Sequence, residues 1–520
     1  MEIYIELMKE EVLKMKKFKN NLLLAAATLF VSLGVTACGG TESPAGDAGT
    51  VSSGGPELRI FNTKGENALD FQRLAEIYYQ ETGVSVNVFS VGSGQDHATP
   101  LRADMTSANP PHIFTVQGVK ELADWTDGNF ILDLATVDNH AEFRALVDDI
   151  PMELRLSTDG ITSFGIPYNV EGYGYIVDTL MLYYLFDNVD VDALLEDIRL
   201  ATYAEWQTLV LAIDHYIQNP SSGSVSLNGS MYTFRAEHTG LAENLTGVFA
   251  VMGAESWTYG DHFVNIALNA AFAGASEAYQ ARLPELEAIH DIFVMYAQAL
   301  NFKTSHMAGL NGPATRGFDF VSSANFGYDQ TINIFAQSRA VFLKQGNWAE
   351  NNIRNTSPEV AERLTFLPVK MPVTQDMIRV DGMTVEHFNS SIPVFVPMHY
   401  AINSTVSEQE QLMAMDFLVW LNTSEIGQRF IVEDFMFIPY SLDTEIYTSI
   451  GFPLGDSIIR YINKGAVLSA PWQGSPGPWG SDIFGNGIME QYMIRETWTP
   501  EDYNAIADFA ISSWYQLIGQ

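Results

Sequence analysis

Cysteine is almost absent from this sequence. Cys38 is the only cysteine among 520 residues, so no disulfide can form within the chain. A zinc site built from cysteines is also excluded, and the ten histidines lack the closely spaced pair that helical zinc sites use. DNVDVD at 187–192 resembles a calcium loop but lacks the turn glycine and the glutamate at the twelfth position. We therefore expect no metal and no cofactor.

Positive charge is scarce as well. The chain has 27 Lys and Arg against 63 Asp and Glu, a formal net charge of −36 at pH 7. This balance excludes nucleic-acid binding, because affinity for phosphate backbones comes from Lys and Arg. Anionic lipid should also repel so acidic a chain. Hydrophobic residues make up 47% of the sequence, which is enough for a large packed core and excludes a disordered protein.

Long hydrophobic runs are missing too. The apolar stretch LLLAAATLFVSLGV at 22–35 is shorter than the roughly 20 residues of a membrane-spanning helix. Lys16, Lys17 and Lys19 precede it, and small residues lead from it into Cys38. This order predicts a lipoprotein-type signal peptide over residues 1–37, with Cys38 as the lipid-carrying residue. The alternative is an uncleaved membrane helix, and translation could begin at Met1 or at Met15.

The segment after this cysteine has the composition of a tether. Residues 41–56 consist mainly of Gly, Ser, Ala and Pro, so residues 38–56 are predicted to be a lipidated cysteine and a flexible linker. A membrane attachment would then come from the lipid, and the folded body would begin at Glu57. Its length is sufficient for two domains.

The start of the body has a recognisable secondary-structure pattern. LRIF at 58–61 predicts a strand, the apolar stripe within 66–82 predicts a helix that ends at Gly83, and the alternation of VSVNV at 84–88 predicts a second strand. Strand, helix and strand at this spacing form a βαβ unit with a parallel sheet. The predicted fold class is therefore α/β.

Five blocks in a fixed order carry a resemblance to a known family. They are ETGVSV, VGSGQD and PPHIF at 81–114, IPYNVEGYG at 166–174, TYAEW at 202–206, AVFLKQGNW at 340–348, and the tail at 471–514. In this order the chain resembles the extracellular solute-binding proteins of ABC importers, carbohydrate-type family 1. The resemblance covers nearly everything from residue 57 onward.

The resemblance implies a fold and a division of the chain. Two α/β lobes, each with a mostly parallel sheet flanked by helices, would face each other across a hinged cleft, as in type II periplasmic binding proteins. Residues 57–165 and 325–391 are expected to form the first lobe. Residues 166–324 and 392–520 are expected to form the second.

Polar side chains follow the first strands of the body, where open α/β sheets place their ligands. Asn62 and Glu66 follow the first strand, Gln95 and Asp96 the second, and Gln117 the third. A sugar site needs such groups for its hydroxyls, so we expect these five residues to contact ligand. The alternatives are a helix N-cap cluster at the first position and a plain surface turn at the second.

The segment around 168–173 combines rings with a carboxylate. Glu171 lies between Tyr168 and Tyr173, next to small residues that allow close approach. We expect Glu171 to accept sugar hydroxyls and the two tyrosines to stack on the ligand. The alternative is a hinge strand with buried tyrosines.

Tryptophan residues in loops are the other candidates, because flat rings suit the C–H faces of sugars. Asn347 and Trp348 follow an apolar strand, Trp257 lies in SWTYG, and Trp472 and Trp479 lie in a stiff Pro/Gly-rich loop. We expect one of Trp472 and Trp479 to face ligand and the other to pack, although many such tryptophans belong to cores.

The resemblance also implies a function. The chain would be a non-enzymatic receptor, anchored by lipid at the outer face of a bacterial cell membrane, that captures a sugar or an oligosaccharide and delivers it to permease subunits. Such receptors are usually single chains. A surface glycoside hydrolase and a non-transport sensor or adhesin are the alternatives, because fold does not fix function.

Overall fold

The computed structural model describes residues 55–91, 97–151, 154–441 and 449–519. The predicted signal peptide, Cys38, the linker, Gln95 and Asp96 lie outside the described residues. None of the helices in the described part of the chain combines the length and the hydropathy needed to cross a membrane.

Strands and helices are interspersed along the described residues. The strands are β1 Glu57–Asn62, β2 Ser85–Ser90, β3 Ile113–Val116, β4 Ile166–Pro167, β5 Glu171–Asp178, β6 Ser224–Leu227, β7 Ser230–Thr233, β8 Gly247–Ala250, β9 Met307–Ala308, β10 Pro313–Ala314, β11 Ala340–Gly346, β12 Leu364–Leu367, β13 Ile392–Phe395, β14 His399–Ile402 and β15 Val467–Leu468.

The α-helices are α1 Ala68–Thr82, α2 Ala98–Met105, α3 Leu122–Thr126, α4 Ala141–Asp148, α5 Thr179–Leu185, α6 Val191–Leu200, α7 Tyr203–Gln218, α8 Val264–Leu268, α9 Ala275–Gln280, α10 Leu283–Glu287, α11 His290–Thr304, α12 Ser323–Phe326, α13 Tyr328–Ala336, α14 Ala349–Thr356, α15 Pro358–Ala361, α16 Val385–Ser390, α17 Glu408–Thr423, α18 Glu425–Arg429, α19 Pro453–Asn463 and α20 Pro500–Ile518.

The first sheet confirms the predicted βαβ unit. Its strand order is β2-β1-β3-β14-β4, and β1 runs parallel to both β2 and β3. Helix α1 buries Phe71, Leu74 and Tyr78 on one face and ends at Gly83, whose φ of 75° is in the left-handed region. Glycine adopts this conformation without strain, which is why the helix stops there. We call this sheet and its helices the first lobe.

The second sheet is larger and is built around β5. Its order is β10-β9-β8-β11-β5-β13-β15, and β12 also pairs with β5. Along β5, Tyr173, Tyr175 and Val177 enter one hydrophobic core while Ile176 enters the core on the opposite face. This alternation is the period of two expected of a strand buried on both faces. We call this sheet and its helices the second lobe.

Both sheets are mixed rather than mostly parallel, which differs from the expectation. In the first sheet β14 pairs antiparallel with β3 and β4, and in the second sheet β5 pairs antiparallel with β11, β12 and β13. The chain passes from the first lobe to the second after β4 and returns to the first lobe after β13. The strands that follow these two passages, β5 and β14, pair antiparallel with their neighbours.

The predicted division of the chain between lobes also differs from the structure. Residues 325–391 were expected in the first lobe, yet β11 lies between β8 and β5 of the second sheet. Residues 392–520 were expected in the second lobe, yet β14 belongs to the first sheet and α17 packs in the first lobe's core. Strand pairing across hundreds of residues decides these positions, and local sequence pattern does not contain that information.

Candidate functional site

The turn after β1 is held by the side chain of Asn62. Its amide nitrogen donates to the Lys64 carbonyl at 2.8 Å and to Asn67 Oδ1 at 3.1 Å. Its amide oxygen accepts from the hydroxyl of Tyr168 at 3.0 Å. Tyr168 in turn stacks on Tyr400 in the core of the first lobe, with ring centroids 4.3 Å apart. The Asn62 amide and the Tyr168 hydroxyl, which were predicted to contact ligand, therefore form hydrogen bonds within the protein.

A buried ion pair links this turn to the start of β5. Lys64 Nζ lies 2.6 Å from Glu171 Oε1, and both side chains are buried. Asn169 Nδ2 donates to the same carboxylate oxygen at 3.0 Å, and the Lys64 ammonium lies 5.3 Å from the Phe437 ring centroid. The predicted hydroxyl acceptor Glu171 is thus engaged with a lysine of the first lobe.

We expect Glu171→Gln to lower the free energy of unfolding by about 2 kcal/mol, because Lys64 would keep one neutral acceptor but lose its charge partner. Urea denaturation measures this loss. The double variant Lys64→Met with Glu171→Leu should recover much of it, since an apolar pair needs no compensation when buried. A single variant as stable as the original chain would contradict a structural role for the pair.

Aromatic side chains from five separate segments converge on His262. We call His262 and these residues the His262 cage. The ring-centroid distances from His262 are 4.7 Å to Tyr173, 5.1 Å to Trp348, 5.2 Å to Trp257, 5.5 Å to Trp472 and 6.1 Å to Phe395. His262, Trp257 and Trp348 are half-buried, so the cage is partly open to its surroundings.

Local backbone features place these rings. His262 lies in a π-helical turn, Thr258–Phe263, and Trp472 lies in a 3₁₀ turn, Pro471–Gly474. Gly346, at the end of β11, leaves space for the next ring, because a Cβ there would lie 2.1 Å from the Trp348 indole. The predicted contact Asn347 accepts from the Gly172 amide at 3.0 Å, which extends the pairing of β11 with β5 up to Trp348.

Three polar atoms of the cage region are buried without a hydrogen-bond partner among the described residues. They are Lys344 Nζ, His262 Nδ1 and Trp472 Nε1. Lys344 lies on β11 with its ammonium 4.8 Å from the Tyr173 ring centroid. Burial lowers the pKa of the Lys344 amine well below its usual range, and the neighbouring Lys303 lowers it further. Burial followed by the Lys344 charge likewise lowers the pKa of His262.

The first lobe reaches the cage at Trp472 and the residue after it. Lys120 Nζ lies 4.6 Å from the centroid of the Trp472 ring. Gly118 has a φ of 74°, and a Cβ there would lie 3.1 Å from Gln473 Nε2, so glycine allows this close approach. Gln117 is half-buried beside this contact, and its backbone N–H donates to Glu121 Oε2 at 2.8 Å.

A cavity of about 820 Å³ adjoins the same turn. Residues 154–160 of the first lobe line one side, and residues 273–277, 394–396 and 467–470 of the second lobe line the other. Gln473 borders this cavity and donates to the Val396 carbonyl at 2.9 Å. Gln473 therefore connects the turn that carries Trp472 with the cavity between the lobes.

The predicted tryptophan pair separates in the structure. Trp472 belongs to the cage, whereas Trp479 is 0% exposed and packs in the second-lobe core. The Trp479 ring is stacked on Phe484 at 5.1 Å, and its Nε1 donates to the Ala510 carbonyl. As a ligand contact Trp479 was therefore wrong, because helix α20 covers it. Glu66 lies in the 3₁₀ turn Gly65–Asn67, at the amino end of α1.

Sequence reasoning missed several members of this site. His262 and Phe395 stood in no candidate motif, and Lys120 followed a strand without an aromatic neighbour. Lys344 did carry a signal, because a lysine inside the otherwise apolar strand AVFLKQG must be buried if the strand is central. Because lysine is rarely buried without a partner, such a residue is a candidate for a functional role.

No family model and no curated protein matches this chain by sequence. Among solved structures, the chain is similar to the apo form of RafE from Streptococcus pneumoniae, with 14% identity, a TM-score of 0.54, and 90% of this chain and 99% of that chain covered. The GacH receptor of Streptomyces glaucescens gives 12% identity, a TM-score of 0.57, and coverage of 89% and 99%.

The maltose/maltodextrin-binding domain MalE from Bdellovibrio bacteriovorus, solved with maltotriose, gives 13% identity, a TM-score of 0.52, and coverage of 89% and 100%. At these identities the likeness shows the fold. Together with the two sheets described above, it confirms the predicted two-lobed, periplasmic-binding-protein-like architecture.

Proposed function

We propose that this chain is the ligand-binding component of an ABC importer and captures a sugar or an oligosaccharide between its lobes, like the family 1 extracellular solute-binding proteins that it resembles. The observation that carries the proposal is the His262 cage, where five aromatic side chains from separate segments surround one imidazole. Rings of this kind bind the C–H faces of sugars, while buried polar atoms among them select hydroxyl or charged groups.

Ligands named for similar structures support this assignment. One RafE structure contains raffinose, and the GacH receptor was solved with acarbose. The cavity of about 820 Å³ between the lobes, which Phe395 of the cage borders, has room for saccharides of this size. The similar structures belong to binding proteins rather than to enzymes, so we propose that this chain catalyses no reaction.

Ligand binding would act through the arrangement of the lobes. Contacts such as Lys64–Glu171 and Lys120–Trp472 join the two lobes, so a ligand seated in the cage favours the arrangement in which both lobes touch it. A permease that recognises this arrangement then receives only loaded receptor. The rings we propose as ligand contacts are Trp257, Trp348 and Trp472, with Gln117 as a polar contact from the first lobe. Tyr173 is 0% exposed and stacks against His262, so its role is to support the cage. Gln95 and Asp96 lie outside the described residues and stay predictions.

The location we propose follows from the start of the chain. A lipid on Cys38 would hold the protein, as a single chain, at the outer face of the cell membrane, with residues 41–56 as a tether. Metabolic labelling with a clickable fatty acid tests this, and Cys38→Ser should remove both the label and the membrane association. Label that persists in this variant would contradict the assignment.

Thermal unfolding of the purified protein with a panel of neutral and acidic oligosaccharides tests the proposed function. We expect at least one intact saccharide to raise the midpoint, because a ligand at 100 times its Kd adds about 2.7 kcal/mol to the folded state. Chromatography of the same mixtures should show the saccharide unchanged. Release of shorter products would favour a glycoside hydrolase, and a panel without any shift would contradict sugar binding.

A further inference from the structure

The balance of charge at the His262 cage is unusual for this chain. The described groups that face it are Lys344 on β11, Lys303 on α11, Lys120 of the first lobe, His262 and Asp261 of the π-helical turn, Glu255, and Asp482, which lies near Asp261. Glu255 is already engaged, because it accepts from Trp257 Nε1 at 3.0 Å and from the Tyr328 amide at 3.0 Å. Three lysines thus balance three acidic groups among the described residues here, although the chain as a whole has a formal net charge of −36.

The burial of Lys344 is the most informative feature of the cage. Its side chain is 3% exposed, and its ammonium has no hydrogen-bond partner within the described ranges. Burying an amine without a partner opposes folding, so such a residue is retained only if something else compensates for it. Asp261 is an acidic group whose charge acts on Lys344, and burial raises the pKa of the Asp261 carboxyl.

The unpartnered atoms also define which chemistry would satisfy them. The Trp472 indole N–H and a Lys344 ammonium donate hydrogen bonds and do not accept them, whereas His262 Nδ1 donates or accepts according to its tautomer. The matching group is therefore rich in acceptors, and a carboxylate or sulfate offers acceptors without donors. Hydrogen bonds between charged groups are about twice as strong as neutral ones, so an anion gains more here than a sugar hydroxyl does.

We propose that the His262 cage binds a saccharide with an anionic substituent, a uronic-acid carboxylate or a sulfate ester, held by Lys344 from the second lobe and Lys120 from the first. This inference rests on the proposed function. The acidic surface of the protein does not prevent it, because charges more than about 8–10 Å away are screened at physiological ionic strength. The attraction between a lysine and an anionic substituent inside the cage is much less screened.

Titration calorimetry on the full chain tests the proposal with three probes of matched length. These are oligogalacturonates for carboxylates, carrageenan oligosaccharides for sulfates, and neutral galacto-oligosaccharides. We expect one acidic probe to bind at least tenfold more tightly than the neutral one, and the two acidic arms distinguish carboxylate from sulfate. Tighter binding of the neutral probe would overturn the inference and leave sugar binding intact. No binding of any probe would contradict both.

Lys344→Met is the decisive variant, because it keeps the aliphatic stem against Tyr173 and removes the amine. We expect it to weaken binding of the acidic probe at least tenfold more than binding of the neutral probe, and to raise the thermal midpoint of the free protein. The matched control is Lys370→Met, which removes another buried lysine whose Nζ donates to the Arg199 and Asn389 carbonyls. It should lower stability without changing the preference for the acidic probe.

Proton linkage gives a readout that a structural role would not move. Burial lowers the pKa of the Lys344 amine, whereas an anion beside it favours the charged form, so binding of an acidic probe should be coupled to proton uptake over the pH range in which the amine titrates. Binding heats in buffers of different ionisation enthalpy measure this uptake, which Lys344→Met should remove. Equal losses for acidic and neutral probes, or unchanged uptake in the variant, would overturn the proposal.

Discussion

Trp479→Ala is expected to lower the free energy of unfolding by about 3–5 kcal/mol, the range found when a buried tryptophan or phenylalanine is truncated. The side chain is fully buried, and its ring lies parallel to that of Phe484, with an interplanar angle of 2°. It also contacts Trp514 at 4.5 Å and donates to Ser513 Oγ at 3.1 Å. Truncation would leave a large cavity beneath α20.

Chemical denaturation followed by tryptophan fluorescence or circular dichroism measures this loss. Tyr515→Ala on the same helix is the control, because its side chain is 43% exposed and its removal should change stability by less than about 0.5 kcal/mol. Trp479→Phe should lose less than Trp479→Ala, since the stacking on Phe484 survives. A fully stable Trp479→Ala protein that has lost its saccharide would instead restore Trp479 as a ligand contact.

The fate of Trp472 and Trp479 shows where sequence reasoning stops. Both residues lie in one Pro/Gly-rich loop, and their local surroundings are nearly the same. The difference comes from α20, which covers Trp479 and whose packing partner is set only by the tertiary structure. Sequence could therefore predict that one tryptophan packs, but it could not identify which one.

Local sequence signals agree with the local structure. The capping boxes of Thr202 with Glu205 and of Ser407 with Glu410 mark the starts of α7 and α17, and both are present as reciprocal hydrogen bonds. The assignment of β11 to a lobe was wrong because it depends on pairing with β5 and β8, far away in the sequence. The error did not affect the predicted fold class, because the fold class depends on which helices and strands the chain forms and not on the sheet to which each strand belongs.

The same distinction applies to the site. Trp257, Trp348 and Trp472 were predicted because tryptophan in a loop is informative by itself. His262, at their centre, was not, because a single histidine in a helical turn gives no signal until other segments approach it. The hydrogen bonds of the Asn62 side chain could not be predicted from the sequence either. They depend on the fold, because its partners lie in other segments or in the turn that follows β1.

Trp348→Ala is expected to weaken binding of the best saccharide by about 30- to 100-fold, the loss of a residue that contributes 2 kcal/mol or more to an interface. Its ring is half-buried, lies 5.1 Å from the His262 ring, and donates through Nε1 to Gln345 Oε1 at 2.9 Å. Because the ring is only half-buried, the fold should survive its loss. Titration calorimetry with the saccharide that gives the largest thermal shift measures the change.

The control for Trp348→Ala has to separate the loss of a ring in the cage from the loss of any half-buried tryptophan. Trp420→Ala provides this, because Trp420 is half-buried on α17 in the first lobe, packs on Tyr78 at 5.0 Å, and lies outside the cage. We expect comparable destabilisation and unchanged affinity. Trp348→Phe should retain part of the affinity, since a smaller ring still presents a flat face. If Trp348→Ala and Trp420→Ala weaken binding equally, the effect comes from global stability, and the His262 cage is not the saccharide site.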